Sequence, residues 1–274
     1  MKRAAVFILA IIPAVAAAAP ACAQAPINSN VALQPSTGGL IIRQQFRYAE
    51  ASRDTPSANL DFNTVSESTT IVYGLTHELT LIANIPAILS LDTDNNTTGA
   101  SESTNGFVDA ALLAKLRVFR DDFGVNDTAR FDLIAGAELP TGADRFSRDS
   151  VNPIVGGVYT YVHGRHAFDA DLLWKFNTGA AAANADLLRY DGAYLYRLAP
   201  ELYASNSPTA WFAAIELNGF SETNGDNELF LSPGIQYVTT RWILEATIQL
   251  PVWQDLDHRP ERDFILGVGF RAQW

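Results

Sequence analysis

The chain ends in a run that alternates strictly between apolar residues and polar or small ones. Phe264, Leu266, Val268, Phe270, Ala272 and Trp274 have one parity, and Ile265, Gly267, Gly269, Arg271 and Gln273 have the other. Successive side chains of a β-strand point to opposite faces. The run therefore predicts a strand with one continuous apolar face and a second face that carries the only charge, that of Arg271.

The same alternation repeats from residue 39 onward. About twelve segments of about 10 to 13 residues follow one another, separated by clusters of Gly, Asn, Asp, Ser, Thr and Pro. In one of them Phe168 and Leu172 oppose Asp169 and Asp171. Strands of soluble sandwiches average about 5–6 residues, whereas a tilted strand needs about 9–11 to cross a bilayer. The pattern therefore predicts an all-β fold, a transmembrane antiparallel up-and-down β-barrel of about 12 strands.

The connections between these segments are of two kinds. Short turns are predicted at 76–77, 163–166 and 239–241, and longer outer loops at 91–105, 141–151, 220–227 and 254–262. An even number of strands places the N-terminus and the C-terminus of the chain on the same side of the membrane, the periplasmic side.

The N-terminal residues have the pattern of a secretory signal peptide. Lys2 and Arg3 precede an apolar run, and Ala21-Cys22-Ala23 supplies the small residues of a cleavage site. The run is shorter than the roughly 18 residues that a membrane helix needs. The predicted domains are a cleaved signal peptide over 1–23, a short N-terminal extension over 24–38 and the barrel over 39–274.

The single cysteine, Cys22, lies within this predicted signal peptide. The mature chain would then carry no thiol, which excludes disulfides and thiolate chemistry. Lipid modification of Cys22 is the competing interpretation. It is disfavoured because Ala19 does not provide the branched apolar residue usual three places before such a cysteine.

The charge of the chain argues against nucleic acid as a partner. The formal net charge is −11, and many of the acidic residues fall in turn-like segments. Binding to nucleic acid needs clustered lysine and arginine.

Charges of both signs fall on the predicted inward face of the barrel. The residues predicted to line the lumen are Arg43, Arg47, Asp109, Lys115, Arg117, Arg130, Asp132, Glu138, Asp171, Lys175, Arg189, Asp191, Glu216 and Glu245. About twelve strands should enclose a narrow polar pore that side chains can constrict. Two interpretations stay open: a lining that selects solutes, or a charge network that stiffens a closed barrel.

The sequence offers no catalytic, cofactor or metal site. His258 is the only histidine in a predicted outer loop, and no serine partner stands beside it. The acidic run that begins at Asp92 imitates a calcium loop, but Thr97 replaces its turn glycine and Ser103 its final glutamate. We therefore predict that the protein is not an enzyme and has no cofactor.

Three short motifs resemble a known family. They are Tyr73-Gly74-Leu75-Thr76-His77-Glu78-Leu79, Glu138-Leu139-Pro140-Thr141-Gly142 and Gln249-Leu250-Pro251-Val252. They resemble the outer-membrane transporters of the MetA-pathway of phenol degradation family, over roughly residues 39–274. The last strand, which stops on Trp274, also resembles the closing strand of bacterial outer-membrane barrels. The resemblance implies a small barrel that passes small compounds, often aromatic or apolar.

The functional prediction is an outer-membrane channel or transporter for passive passage of small solutes, including aromatic or apolar compounds. The alternative is a non-conducting barrel with a structural or interaction role in the cell envelope. The expected partners are outer-membrane lipid, the barrel-assembly machinery and a small-molecule solute. The expected location is the bacterial outer membrane, reached by export across the inner membrane.

Overall fold

The computed structural model describes residues 24–55, 58–124, 126–179, 185–202 and 209–274. The predicted signal peptide lies outside the described residues, as does Cys22. Within the described ranges, no helix is long and apolar enough to cross a membrane.

The described residues form thirteen β-strands. They are β1 (Leu40–Thr55), β2 (Ala58–Gly74), β3 (Leu79–Asn95), β4 (Ala100–Phe107), β5 (Ala110–Asp122), β6 (Thr128–Leu139), β7 (Asn152–His163), β8 (His166–Lys175), β9 (Leu187–Ala199), β10 (Thr209–Glu222), β11 (Asn227–Thr239), β12 (Trp242–Asp255) and β13 (Glu261–Gln273).

The sheet closes on itself. Neighbouring strands of the ring pair antiparallel: β5 pairs with β3 and β6, and β1 pairs with both β2 and β13. Leu40 and Trp274 exchange backbone hydrogen bonds of 3.0 and 2.9 Å at the seam. Among the described strands, closure pairs both edges of every strand except β4, which pairs with β3 alone, so the fold suits a solvent that cannot hydrogen-bond. The predicted fold, a closed antiparallel barrel of twelve strands, is confirmed.

The twelve positions of the barrel arise from thirteen strands because β4 and β5 occupy one position in the ring. Both pair with β3, and the ladder is interrupted between them at Val108 and Asp109. Pro86 of β3 has no N–H to donate there, and its carbonyl accepts a 3.0 Å hydrogen bond from the Val108 N–H. At this break two residues of β3, Ile85 and Pro86, face the three residues 108–110, as in a β-bulge, and Asp109 is buried.

The two ends of the barrel differ. The end that carries the turns at 75–78, 164–165 and 240–241, together with the start of β1 and the end of β13, is called the turn rim. The opposite end, with the connections after β6, β8, β10 and β12, is called the loop rim. The stretch 91–105, predicted as a loop, is instead strand on both sides of a turn at 96–99, since β3 and β4 continue beyond the loop rim.

The side chains alternate in and out as the sequence pattern predicts. On β8, Leu172 is 57% exposed whereas its neighbour Asp171 is 3% exposed. On β13, Val268 is 58% exposed and Arg271 is buried. Apolar side chains on the outside and charges on the inside match a barrel that faces hydrocarbon around its circumference.

Aromatic rings mark the outer surface near the turn rim. The ring centroids of Trp211 and Tyr237 are 4.8 Å apart, and those of Tyr237 and Trp242 are 5.5 Å apart. On the neighbouring hairpin Phe168 and Tyr194 are also 4.8 Å apart. Such a girdle is typical of the level where a membrane barrel meets the headgroups.

Candidate functional site: an occupied lumen

Residues 24–38 lie inside the barrel and are called the lumen segment. The segment leaves the start of β1 at the turn rim, where the Gly38 N–H donates to the Gly74 carbonyl at 2.8 Å. Gly38 has a φ of 78°, a conformation that glycine adopts without strain. Ile27 and Ala32 are 1% and 0% exposed. The predicted short N-terminal extension therefore lies within the barrel and occupies part of its lumen.

The segment enters the lumen, bends and turns back. Asn28 contacts Arg47 of β1 and Thr247 of β12, both well inside the barrel. Pro26, two residues earlier in the chain, contacts Arg271 near the turn rim through its carbonyl. The bend over residues 27–29 is thus the part of the segment that reaches furthest from the turn rim.

Glu216 of β10 binds the inner surface of this bend. Its carboxylate accepts the backbone N–H groups of Ile27, Asn28 and Ser29 at 2.6, 2.9 and 3.0 Å. It also accepts the Ser29 hydroxyl at 2.8 Å. Successive N–H groups that converge on one anion form a nest, and charge-assisted hydrogen bonds are about twice as strong as neutral ones. Glu216 is therefore the principal anchor of the segment.

Further acceptors continue along the segment. Asp171 of β8 accepts the Asn30 backbone N–H at 2.8 Å and its side-chain amide at 3.0 Å. The Thr160 hydroxyl of β7 accepts the Ala32 N–H at 2.8 Å. Each contact satisfies a buried donor that would otherwise be desolvated without a partner.

The carbonyl groups of the segment bind cations. The Lys115 ammonium of β5 donates to the carbonyls of Val31 and Leu33 at 2.6 and 3.1 Å. Arg189 of β9 donates to the Asn28 carbonyl at 2.6 Å. Arg43 of β1 donates to the Ile27 carbonyl. The backbone of the segment thus exchanges hydrogen bonds with the barrel in both directions.

These charges are divided between two sides of the lumen. Asp169, Asp171, Asp191 and Glu216 lie on β8, β9 and β10, and Arg43, Arg47, Arg271 and Lys115 lie on β1, β13 and β5. In the ring of twelve positions β1 stands opposite β8. We call these the acidic wall and the basic wall. Arg189 stands among the acids and Glu245 among the cations.

Arg189 and Glu245 are both tightly paired. Glu245 accepts Arg43 Nε at 2.7 Å and lies 2.7 Å from the Arg271 guanidinium. Arg189 Nε lies 2.6 Å from an Asp191 oxygen. Glu245 is buried, so removing its arginine partners would leave an uncompensated charge in the lumen, which destabilises by about 3–5 kcal/mol. These pairs therefore hold the walls in a fixed arrangement around the segment.

Apolar contacts fix the register of the segment. Ile27 packs in a cluster with Val162 and Leu195. A Cβ atom at Gly234 would lie 2.4 Å from the Ile27 Cδ1, so the glycine leaves the room that this side chain fills. Ala32 packs against Ile134 and Val158 in a second cluster.

The remaining predicted lumen residues lie away from the bend. Asp132 accepts a hydrogen bond from the Gln34 side chain at 2.9 Å and lies 3.8 Å from Arg117. Two further ion pairs join Arg130 to Asp122 at 3.3 Å and Lys175 to Glu138 at 3.1 Å. Asp109 accepts the N–H groups of Gly142 and Arg148 at 2.9 and 2.7 Å. The role of the fourteen residues as a solute lining stays a prediction.

Sequence reasoning overlooked the neutral partners of the segment. Thr160, Asn218 and Gln236 all hydrogen-bond it, Asn218 through the Ser29 hydroxyl at 3.2 Å and Gln236 through the Ala25 carbonyl at 2.9 Å. A search for charges does not find such residues. Their inward parity beside Glu216 and Glu245 is the signal that could have found them.

A cavity of about 120 Å³ remains beside the segment. Its lining includes Val31, Leu33, Ile41 and Val72, together with the cations Arg43 and Lys115. It has room for several water molecules or part of a small solute. The lumen is therefore narrowed by the segment without being completely filled.

At the loop rim, Asp226 joins two loops. Its carboxylate accepts the N–H groups of Asp257 and His258 at 2.9 and 3.2 Å and faces the His258 ring at 3.1 Å. Beside it Arg259 Nε donates to Glu222 at 3.0 Å. Burial alone would raise the pKa of Asp226, but these hydrogen bonds together hold that pKa below its usual value.

The lowered pKa of Asp226 predicts an acid-sensitive loop contact. A carboxylate whose pKa is lower in the folded state stabilises the fold above its unfolded pKa of about 3.9, and this stabilisation is lost as the pH falls through the folded value. We expect hydrogen exchange at residues 256–260 to accelerate in that acidic range. Asp226→Asn should abolish the acceleration, whereas Asp144→Asn in an exposed loop should retain it. An acceleration retained by Asp226→Asn would contradict the assignment.

Among the residues that the structure describes, no group of three or more His, Cys, Asp or Glu side chains is placed to hold a metal ion. His163 faces Asp127 at 3.1 Å at the turn rim, and His258 faces Asp226. Both contacts connect loops or turns to one another.

The described residues form a closed β-barrel whose lumen holds the lumen segment, and the fold of the barrel is similar to that of several solved structures. The COG4313 outer membrane channel from Pseudomonas putida F1 has a TM-score of 0.59 and 15% identity, over 91% of this chain and 100% of that one. The translocator domain of the autotransporter NalP from Neisseria meningitidis has a TM-score of 0.47 and 13% identity, over 87% and 89%. Pseudomonas aeruginosa OccK1 has a TM-score of 0.39 and 11% identity, over 86% of this chain and 98% of that one.

No protein-family model matches the chain, and no curated protein matches it by sequence. The likeness to the Pseudomonas putida channel supports the barrel fold. The resemblance to the phenol-degradation family stays a prediction.

Proposed function

We propose that this protein is an outer-membrane channel that admits small solutes passively, and that the lumen segment closes it in the conformation described. The observation that carries the proposal is the way the lumen is filled. Its occupant is a segment joined to the barrel by the chain at Gly38 and held elsewhere by hydrogen bonds and packing. A segment held in this way can leave without breaking any strand pairing. Its departure would expose a lumen lined by charges of both signs.

The outer surface supports the proposed placement in the membrane. The apolar exterior and the aromatic rings near the turn rim fit a bilayer, and the turn rim would face the periplasm. The similar solved channel supports the same location. In that setting the chain would be inserted by the barrel-assembly machinery after loss of its signal peptide, and it would not act as an enzyme.

The class of solute is suggested by the cavity and by the family resemblance. The cavity beside the segment joins apolar side chains, such as Ile41 and Val72, to the cations Arg43 and Lys115. This combination suits small aromatic or apolar compounds, with acids favoured by the two cations. Such solutes agree with those implied by the phenol-degradation family.

The alternative function is a non-conducting barrel that stabilises the envelope. Its supporting observation is that anchors such as Glu216 bind the segment through several short hydrogen bonds. In that case the segment would be a permanent part of the core, and no current would flow through an inserted barrel.

The proposed channel predicts a charge effect at Lys115. Lys115→Glu should shift the reversal potential in a salt gradient towards cations, because a buried cation that lines the lumen cavity is replaced by an anion. It should also lengthen openings, since the carbonyls of the segment lose their donor. Planar-bilayer recordings of the refolded chain would measure both, with Arg145→Glu on an exposed loop as the control. An unchanged reversal potential in a conducting variant would remove Lys115 from the path.

A further inference from the structure

We propose that the two charged walls form a binding site for peptide backbone, so that a short oligopeptide with uncharged side chains can take the place of the lumen segment. This inference rests on the proposed function only in that the segment must be able to leave. It goes further by assigning a class of ligand to the vacated lumen.

The first support is that the barrel recognises the main chain of the segment. Its N–H groups at residues 27, 28, 29, 30 and 32 donate to the wall, and its carbonyls at residues 25, 26, 27, 28, 31 and 33 accept from it. Every amino acid except proline carries both groups. A site that binds these backbone groups can accept peptides of many different sequences.

The second support is the direction of the peptide groups. N–H groups point to Thr160, Asp171 and Glu216, on β7, β8 and β10. The carbonyls of Ile27, Val31 and Leu33 point to Arg43 on β1 and Lys115 on β5, in the basic wall, whereas the Asn28 carbonyl accepts from Arg189 within the acidic wall. The field between the walls therefore favours this direction for most of these peptide groups. A solute without amide groups cannot use both walls in this way.

The third support is the composition of the segment that now occupies the site. Residues 25–34, with the sequence Ala-Pro-Ile-Asn-Ser-Asn-Val-Ala-Leu-Gln, contain no charged side chain. The pocket beside Gly234 takes an apolar residue, Ile27, and the contact with Ile134 and Val158 takes a small one, Ala32. A charged side chain in either place would be buried without a partner. We therefore expect the ligand to be neutral, with an apolar residue and, five positions later, a small one.

The test uses a full chain in which the segment is displaced and the walls are intact. Ile27→Asp places a carboxylate in the apolar cluster with Val162 and Leu195, which should release the segment. The probe is a fluorescent peptide with the sequence of residues 25–34 and blocked ends. Its binding is followed by anisotropy in detergent, and its effect on current is followed in planar bilayers.

We expect the peptide to bind the Ile27→Asp protein and to reduce its current. The unsubstituted protein, whose lumen is occupied, should bind it at least about tenfold more weakly. N-methylation of the amides equivalent to Asn28 and Ser29 removes two donors to Glu216 and should weaken binding by about tenfold or more. Replacing these two side chains by alanine should weaken it less.

A second pair of variants tests the wall itself. In the Ile27→Asp background, Glu216→Gln should lower peptide affinity by about tenfold or more. Glu102→Gln, which alters an exposed carboxylate paired with Arg145 outside the lumen lining, should leave the affinity unchanged.

The outcomes separate the two proposals. A folded Ile27→Asp barrel that conducts but binds no peptide would overturn the peptide site and leave the channel standing. Equal binding of the N-methylated peptide would also overturn recognition of the backbone. A barrel that binds peptide but never conducts would retain the site and contradict the channel.

Discussion

Deleting residues 24–34 should convert a barrel that conducts rarely into one that conducts steadily. If docking of the lumen segment is favoured by about 2.7 kcal/mol, the lumen is open for about 1% of the time. Removing the segment should then raise the mean current by up to about 100-fold, and we expect at least a tenfold rise. The measurement is planar-bilayer current per inserted barrel. Insertion is verified by the heat-modifiable migration that closed barrels show.

A matched control changes the lumen without touching the segment. Glu138→Gln removes one member of the pair with Lys175 nearer the loop rim. It should leave the mean current within about twofold of that of the unsubstituted chain, since its effect on docking of the segment should be within about 0.5 kcal/mol. A deletion variant that folds and inserts but carries no more current than this control would contradict occlusion by the segment.

The second large effect is expected from Glu216→Gln. The glutamine loses the charge that binds the N–H groups of Ile27, Asn28 and Ser29, and its own amide N–H₂ faces donors. Loss of a buried charge-assisted network should weaken docking by about 2–4 kcal/mol. Hydrogen exchange of the amides at residues 27–29 should then accelerate by roughly 30-fold or more, because exchange reports local opening.

The barrel itself should withstand this substitution. The strand pairing of β10 with β9 and β11 does not involve the Glu216 side chain, so exchange within the strands should change far less than exchange within the segment. The same substitution should increase the mean current. Unchanged protection of residues 27–29 would show that Glu216 does not anchor the segment.

The alternation of residue types predicted the barrel because neighbouring residues of a strand face different surroundings: lipid favours apolar side chains and the lumen favours polar ones. Leu172 and Asp171 show this directly, since moving either to the other face would expose a charge to hydrocarbon or an apolar group to water. The same rule correctly oriented β13. It could not predict the break at Val108, which depends on the missing N–H of Pro86 across the ladder.

The lumen segment could not be predicted from periodicity, because residues 24–38 form no strand or helix. Two indirect signals were present. Inward positions carry apolar residues, such as Ile134, Val158 and Leu195, which a water-filled lumen would leave uncovered. The segment itself lacks charged side chains between Gln24 and Gly38. Both facts suit a neutral chain that packs against the wall, but neither specifies which segment of the chain does so.

The sequence pattern predicted which charged residues face the lumen, but it did not predict that they bind the lumen segment. All fourteen charged positions were chosen on parity alone, and several of them, including Glu216, Asp171 and Lys115, bind the backbone of the segment. Parity places a side chain on a face, but it does not identify what that face contacts. The contact depends on a chain reversal at Gly38 that brings the segment back through the turn rim.

The most direct measurement ties the segment to the wall in one reversible step. Cysteines would replace Asn28 and Thr247, whose side chains are 3.4 Å apart, in a chain that begins at Gln24 and has no other cysteine. A short bis-methanethiosulfonate linker would join them, and the current of the same bilayer would be recorded before and after reduction. We predict a silent linked barrel that begins to conduct on reduction, while the single-cysteine variants show no response. A linked barrel that conducts as well as the reduced one would contradict closure by the lumen segment.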